Sequence, residues 1–223
     1  MLQRDRVING IIKNYNLQNP AYLEIGVWQG ETFKRIHTNQ KDGVDPGQYC
    51  DCELVNYKIT SDEFFTKVPK KYDIIFIDGL HTAHQVSKDI YNSIQNLNSG
   101  GWIMLDDVFP HCKYEQERLN LKKSGPQTGD VWKAVYDQLD RICELSEIVY
   151  FEQSTERGNL IFKLKENNTQ NIAINASIPT MNVDGWYTGT DAEWNKYDYD
   201  RDFQTYLAAL TTINANSSFI ATY

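Results

Sequence analysis

Acids recur in this chain at the ends of apolar runs, and the glycines and histidine beside them suggest a use. The run Ala21-Tyr-Leu-Glu-Ile-Gly-Val-Trp-Gln-Gly-Glu-Thr32 contains Glu24 and closes on Gly26 and Gly30, spaced for a tight strand-to-helix turn. Glycine admits positive φ and a close ligand, and a helix that follows presents unpaired N–H groups. Asp45 stands 19 residues after Gly26, at the end of a second apolar segment. That is near the spacing at which a strand-end acid holds ribose hydroxyls, so turn and acid together suit a nucleoside-type cofactor.

Further acids follow the same rule. Ser61 and Asp62 come after a third apolar segment, Asp78 and His81 after a fourth, and Asp106 and Asp107 after a fifth. Taken singly, each Asp at a strand end is equally explained as an N-cap of the next helix. Five separate segments sending acids to one edge point to a shared site instead.

The elements that must position these residues are legible from hydrophobic periodicity. Tyr22 to Val27, a segment ending at Asp45, Tyr57 to Thr60, Tyr72 to Asp78 and Trp102 to Leu105 read as strands. Helices are expected over Val7 to Tyr15, Glu31 to His37, Ser61 to Phe65 with Ser61 as N-cap, Thr82 to Leu97 and Gly129 to Leu139. Such alternation implies right-handed βαβ units in a parallel sheet, with ligands beyond the carboxyl ends of the strands. Ser146 to Glu152 and Asn159 to Lys165 read as an antiparallel hairpin added at the edge. Val108 to Thr128, with Pro110, His111, Gly125 and Pro126, is a connection long enough for a lid or a variable insertion.

Composition narrows the function classes. Thirty acidic against 22 basic residues give a net charge of −8, which repels nucleic-acid backbones and acidic membranes, and Lys122-Lys123 is too short a basic patch to reverse this. No run approaches the length of a membrane span, and Met1 to Arg6 lacks a signal-peptide core, so a soluble, cytoplasmic protein is expected. Cys50, Cys52, Cys112 and Cys143 form no CxxC spacing, and the Asn-X-Ser/Thr triplets at Asn167, Asn175 and Asn216 carry little weight without a secretion signal. The expected division is a catalytic domain over 1–165 and an Asn-, Tyr- and Trp-rich extension over 166–223 (Trp186, Tyr187, Trp194, Tyr197, Tyr199, then a helix over Phe203 to Leu210). That extension is expected to pack on the core, cover the substrate mouth or join protomers into a homo-oligomer.

The blocks Tyr22 to Thr32, Gly43-Val-Asp-Pro46, Tyr72-Asp-Ile-Ile-Phe-Ile-Asp-Gly-Leu-His81, Gly100-Gly-Trp-Ile-Met-Leu-Asp-Asp107 and Gly129-Asp-Val-Trp-Lys133, in this order and spacing, resemble class I S-adenosylmethionine-dependent methyltransferases. The nearest branch is that of the metal-dependent catechol-type and sugar O-methyltransferases. The resemblance implies an α/β, Rossmann-like three-layer sandwich whose seven-stranded, mostly parallel sheet ends in the antiparallel hairpin. It implies that Glu24, Gly26, Gly30 and Thr32 shape the methionine end of the S-adenosylmethionine pocket, Asp45 holds the ribose, Ser61 or Asp62 lies beside the adenine, and Asp78 begins the catalytic edge.

In metal-dependent members, acids at the positions of Asp78, Asp106 and Asp107 hold a divalent cation, and three carboxylates suit Mg²⁺ better than zinc. Asp107 stands where the catechol branch has Asn, which adds charge and favours Ca²⁺ or looser selectivity. Asp78-Gly-Leu-His81 is similar to the Asp-x-x-His of the sugar branch, where the His is the general base. The expected reaction is therefore O-methylation of a sugar or other small hydroxylated molecule, with His81 as base. For His81 the other reading is a ring bonded to a backbone carbonyl near a helix start, with His84 and His111 as second candidates. His37 reads as structural, Trp28 as a pocket wall and Lys133 as a solvated helix position. Other functions stay open: a metal-independent methyltransferase, an NAD(P)-dependent oxidoreductase, although Trp28 replaces the middle glycine of G-x-G-x-x-G, and a non-catalytic binding module.

Overall fold

The computed structural model describes residues 3–47, 53–117, 127–166, 191–221 and 223. Cys50, Cys52, Lys122, Lys123, Gly125, Pro126, Asn167, Asn175, Trp186 and Tyr187 lie outside these residues. Strands β1 (Tyr22–Ile25), β2 (Lys41–Val44), β3 (Tyr72–Ile77), β4 (Leu97–Leu105), β5 (Ser146–Glu152) and β6 (Asn159–Leu164) form one sheet in the order β2-β1-β3-β4-β6-β5. β1 pairs in parallel with β2 and β3, and β3 in parallel with β4, while β6 runs antiparallel to both β4 and β5. The chain crosses from β2 past β1 to reach β3, so strand order reverses between β1 and β3, the switch point beside whose carboxyl ends such sheets form a ligand crevice.

The strand count corrects one expectation, because the sheet has six strands among the described residues and not seven. Tyr57 to Thr60 contracts to a single parallel bridge between Val44 and Tyr57. Thr60 is taken by the next helix instead: it is the N-cap of α2 (Ser61–Lys67) and forms a reciprocal capping box with Glu63. Thr60, not Ser61, therefore starts that helix. The helix expected over Glu31 to His37 is likewise reduced to a 3-10 turn at Phe33–Arg35. Phe33, Ile36 and Thr38 are poor helix formers, and few residues separate Gly30 from β2.

The remaining helices are α1 (Arg4–Asn14), α3 (Ala83–Gln95), α4 (Val131–Leu145) and α5 (Tyr199–Asn216). Alternation along the strands divides the core into two layers, as the period of two requires. Leu23, Ile25, Ile75, Ile77, Ile103 and Leu105 face α3, α4 and α5 and meet Ile90, Trp132, Val135, Phe203 and Leu210. Tyr22, Ile74, Phe76, Trp102 and Met104 face the opposite way and meet Val7, Ile8 and Ile11 of α1, together with Phe33. Each such buried aliphatic or aromatic side chain contributes roughly 1.5–3 kcal/mol. The second layer is the thinner one, and α1 is its only helix among the described residues.

The described part of the C-terminal extension joins both layers. Trp194, Phe203, Tyr206 and Leu210 belong to the α3–α4 core, and α5 starts at Asp198, whose side chain caps the Asp200 and Arg201 N–H groups. The last residues cross to the other face, where Phe219 stacks on Tyr150 with ring centroids 4.7 Å apart and Asn14 donates to the Ile220 carbonyl at 3.1 Å. Among the described residues, no helix is long and apolar enough to cross a membrane.

Candidate functional site

β1 delivers Glu24 and the glycine turn to the crevice. Gly26 (φ +86°), Trp28 (φ +45°) and Gly30 (φ +72°) are all left-handed, which folds the turn tightly over the strand end. Gly26 has a structural reason beyond any ligand: a Cβ there would lie 1.9 Å from the Asp78 carbonyl oxygen, so its absence lets the loops after β1 and β3 touch. Asp45, after β2, reaches across the turn and accepts the Trp28 N–H at 2.9 Å and the Gly47 N–H at 2.8 Å. Trp28 itself points outward and is 62% exposed. Thr32 lines a cavity of about 380 Å³ together with Gln3, Arg4, Asp5, Glu31, Arg35 and Glu156.

Glu24 is buried under the turn and accepts the Tyr22 hydroxyl at 2.5 Å. Burial pushes its carboxyl up to about 8, against the lowering effect of the Tyr22 hydrogen bond, and nearby Asp78 adds to the rise.

Asp78 after β3 and Asp107 after β4 converge on one ring nitrogen. His81 Nε2 lies 3.4 Å from Asp78 Oδ1 and 3.2 Å from Asp107 Oδ2, and the three side chains bring ligand atoms within 4.8 Å of one another. The other nitrogen, Nδ1, lies 3.0 Å from the Gln127 carbonyl, so it carries the hydrogen and donates. One ring nitrogen of His81 thus bonds a backbone carbonyl while the other faces the two acids. Burial by itself would lower the His81 pKa, but Asp107 and Asp78 outweigh it and push it up to about 10. Burial raises Asp107 to about 6, opposed by His81. Asp107 holds its place with φ +58°, a left-handed backbone that Asp tolerates better than bulkier residues.

Asp106, the third acid of the expected cation set, is turned elsewhere. Its Oδ1 accepts from Asn159 Nδ2 at 2.8 Å, and its Oδ2 pairs with Arg4 Nε. Arg4 NH1 also lies 3.9 Å from Asp78 Oδ2. The Asp106 side chain is 1% exposed, and burial together with Asp78 and Asp107 pushes its pKa upward while Arg4 opposes the shift.

Sequence reasoning missed Arg4, Gln127 and Asn159 as parts of the site. Arg4 lies on a helix that no motif marks, and Asn159 reaches Asp106 only because β6 inserts beside β4. The block from Gly129 was visible, but not its purpose. Asp130 Oδ1 accepts the Ala83 N–H at 2.7 Å and so ties the start of α4 to the start of α3, just beyond His81.

Ser61 and Asp62 sit in a different network. Gln85 Nε2 lies within hydrogen-bond distance of Ser61 Oγ at 3.2 Å, Asp62 Oδ1 at 3.1 Å and the buried Asp89 at 3.1 Å, which share its two N–H groups, while Lys88 pairs with Asp62 at 2.7 Å. His111 packs edge-on against Phe109, with centroids 5.3 Å apart, and its backbone N–H bonds Glu115. The His37 N–H bonds Asn9 Oδ1.

Residues 53–108 match the family described as "Methyltransferase domain". That segment contains α2, β3, Asp78, His81, α3, β4, Asp106 and Asp107. The SAH-bound methyltransferase PaMTH1 of Podospora anserina is similar in structure, with a TM-score of 0.51 and 14% identity over 74% of this chain and 80% of that one. The cofactor-bound protein Rv0187 from MTB has a TM-score of 0.51 and 15% identity over 75% of this chain and 83% of that one. No curated protein matches in sequence. The shared sheet gives this chain the Rossmann-like fold of these methyltransferases, and residues 53–108 carry its match to the methyltransferase-domain model.

Proposed function

We propose that this methyltransferase moves the methyl group of S-adenosylmethionine to a hydroxyl of a sugar or other small polyhydroxylated molecule, with a divalent cation such as Mg²⁺ assisting. The observation that carries this reading is the meeting of Asp78, His81 and Asp107 at the switch point of the sheet. The donor set fits a hard cation, because its carboxylates already gather the Arg4 guanidinium and the His81 ring. Asp78 and Asp107 would hold the cation, joined by Asp106 when Arg4 is withdrawn.

The acids around the crevice also favour a sulfonium cofactor over a dinucleotide. Asp45, Asp78 and Asp107 would repel a pyrophosphate, whereas carboxylates attract an ammonium group and accept hydrogen bonds from hydroxyls. Glu24, Gly26, Gly30, Thr32 and Asp45 are the residues we assign to S-adenosylmethionine, with Ser61 and Asp62 towards the adenine. When bound, that cofactor supplies an electrophilic methyl group and the cation eases loss of the acceptor's proton.

His81 is the base in this reading. The Gln127 carbonyl holds the Nδ1 hydrogen and leaves Nε2 to accept a proton, and Asp78 and Asp107 stabilise the imidazolium that forms. The neighbouring cavity is lined by polar and charged side chains without an aromatic ring, which supports a polyhydroxylated acceptor over a phenol. A second reading, methyl transfer without a divalent cation, is favoured by the Arg4 contact with Asp106.

Calorimetric titration with S-adenosylmethionine and NAD, followed by methyl-transfer assays over sugars, polyols and catechols with and without chelator, tests the proposal. We expect binding of the first cofactor alone and chelator-sensitive transfer to sugars or polyols. NAD binding in its place, or transfer to none of the acceptors, overturns it.

A further inference from the structure

We infer that Arg4 is the residue that sets the affinity of the acidic cluster for a divalent cation, because its guanidinium occupies the carboxylates the cation would need. The inference rests on the cation reading above and goes beyond it by assigning the competitor.

Arg4 is the first residue of α1, and it projects from the thin layer of the fold into the mouth of the sheet. Its Nε meets Asp106 Oδ2 and its NH1 approaches Asp78 Oδ2 at 3.9 Å, so one side chain spans acids from β4 and β3. Asp106 has no second free oxygen to offer, since Asn159 Nδ2 takes Oδ1 at 2.8 Å. A cation that recruits Asp106 must therefore displace the guanidinium.

Charge leads to the same conclusion. Asp78, Asp106 and Asp107 together bring three potential negative charges, and among the described residues Arg4 and His81 are the cationic groups in contact with them. A buried carboxylate stripped of its counter-ion is costly, so the cluster holds Arg4 until another cation replaces it. Release is feasible. The Arg4 side chain remains 34% exposed, whereas the anchors of α1, Val7, Ile8 and Ile11, lie one and two turns further along and stay buried. Gln3, Arg4 and Asp5 also line the 380 Å³ cavity, so moving Arg4 reshapes the wall next to the cluster.

The test is binding of Mn²⁺ to the full chain, read from the electron paramagnetic resonance signal of the free ion. Wild type is compared with Arg4→Gln, Arg4→Lys and the exposed control Arg6→Gln on the same helix. We expect Arg4→Gln to bind Mn²⁺ about tenfold more tightly than wild type, equivalent to about 1.4 kcal/mol. Arg4→Lys should fall between them, and Arg6→Gln should match wild type. Thermal unfolding gives a second readout: without metal Arg4→Gln should melt below wild type, and Mn²⁺ should raise its midpoint by more than it raises that of wild type. Equal affinity in wild type and Arg4→Gln, or weaker affinity in Arg4→Gln, overturns the role of Arg4 and leaves the cation site standing. No Mn²⁺ binding in any variant overturns both.

Discussion

Gly129 supports His81 through a backbone contact that tolerates no side chain: a Cβ at 129 would lie 1.8 Å from the His81 carbonyl oxygen, and Gly129 has φ +58°. Gly129→Ala is therefore expected to cost on the order of 1–3 kcal/mol from backbone strain alone, with more from the clash. Because the displaced residue is His81, methyl transfer should fall further than the loss of folded protein explains. Chemical denaturation and turnover measured on the same samples check this. Unchanged stability would show that the turn relaxes.

Tyr206 of α5 donates its buried hydroxyl to the Val108 carbonyl at 3.0 Å, immediately after Asp106 and Asp107. Tyr206→Phe keeps the ring in the core and removes only this bond. The expected loss is about 1 kcal/mol, with the orphaned Val108 carbonyl as the main cause. Hydrogen exchange over 106–110 should quicken in the variant, and equal exchange would disprove the coupling between the extension and the strand end.

Glu24 makes stability depend on pH. Its carboxyl rises from 4.5 to about 8 on folding, so the folded state holds a proton that the unfolded state has lost between those values. The stabilisation is complete below about 4.5 and is lost as pH rises through about 8. Glu24→Gln keeps the neutral shape without the titration. Its melting temperature relative to wild type should therefore increase from pH 5 to pH 8.5, and a constant difference would sink the assignment.

His81 has the opposite proton economy in catalysis from an ordinary histidine. With its pKa pushed up to about 10 by Asp107 and Asp78 against burial, it is protonated at neutral pH and gains neutral base only as pH rises. Its contribution to stability is full below about 6.5 and disappears as pH passes through about 10. Turnover without added metal should climb with pH towards that value, and a divalent cation should move the climb to lower pH through repulsion of the imidazolium. His81→Gln is expected to reduce turnover by roughly 10²–10⁴-fold with little change in S-adenosylmethionine affinity. A pH profile unaffected by this substitution would remove His81 from the base role.

Asp45 organises the glycine turn through the Trp28 and Gly47 N–H groups. Asp45→Ala leaves both donors to water and loosens the turn over β1. Cofactor affinity, read by calorimetry, should weaken about tenfold or more, in line with the loss of charge-assisted hydrogen bonds. Intact affinity would confine Asp45 to a structural role.

Local patterns in the chain were sufficient for β1, β3, the Trp102 to Leu105 part of β4, α3, the first part of α4 and the hairpin of β5 and β6, whereas β4 starts earlier, at Leu97, and α4 runs further, to Leu145. Each is a strongly periodic or wholly apolar run, and its burial follows from its own residues, as with Ile75 and Ile77 on one face of β3 and Ile74 and Phe76 on the other. The strand-end acids were legible for the same reason, since Asp78, Asp106 and Asp107 directly follow such runs. Weak local signals failed where competing partners decided the outcome: Thr60 became a helix cap and left Tyr57 with one bridge, and the segment after Gly30 had too few good helix formers to exceed a single turn.

By itself, then, the sequence determined the class of fold and the placing of Asp78, Asp106 and Asp107 directly after apolar strands, because hydrophobic period and strand-end position are local properties. Only the tertiary structure decided how those acids are paired: Asp78 and Asp107 with His81, Asp106 with Arg4 and Asn159, Asp45 with the turn of Trp28. Arg4 and Asp106 are far apart in the chain, and their encounter depends on α1 packing across Tyr22 and Phe76 at the angle that points its first residue into the crevice. Electrostatic partnership inside a protein is set by distance and burial, and neither is written in the spacing of residues along the chain.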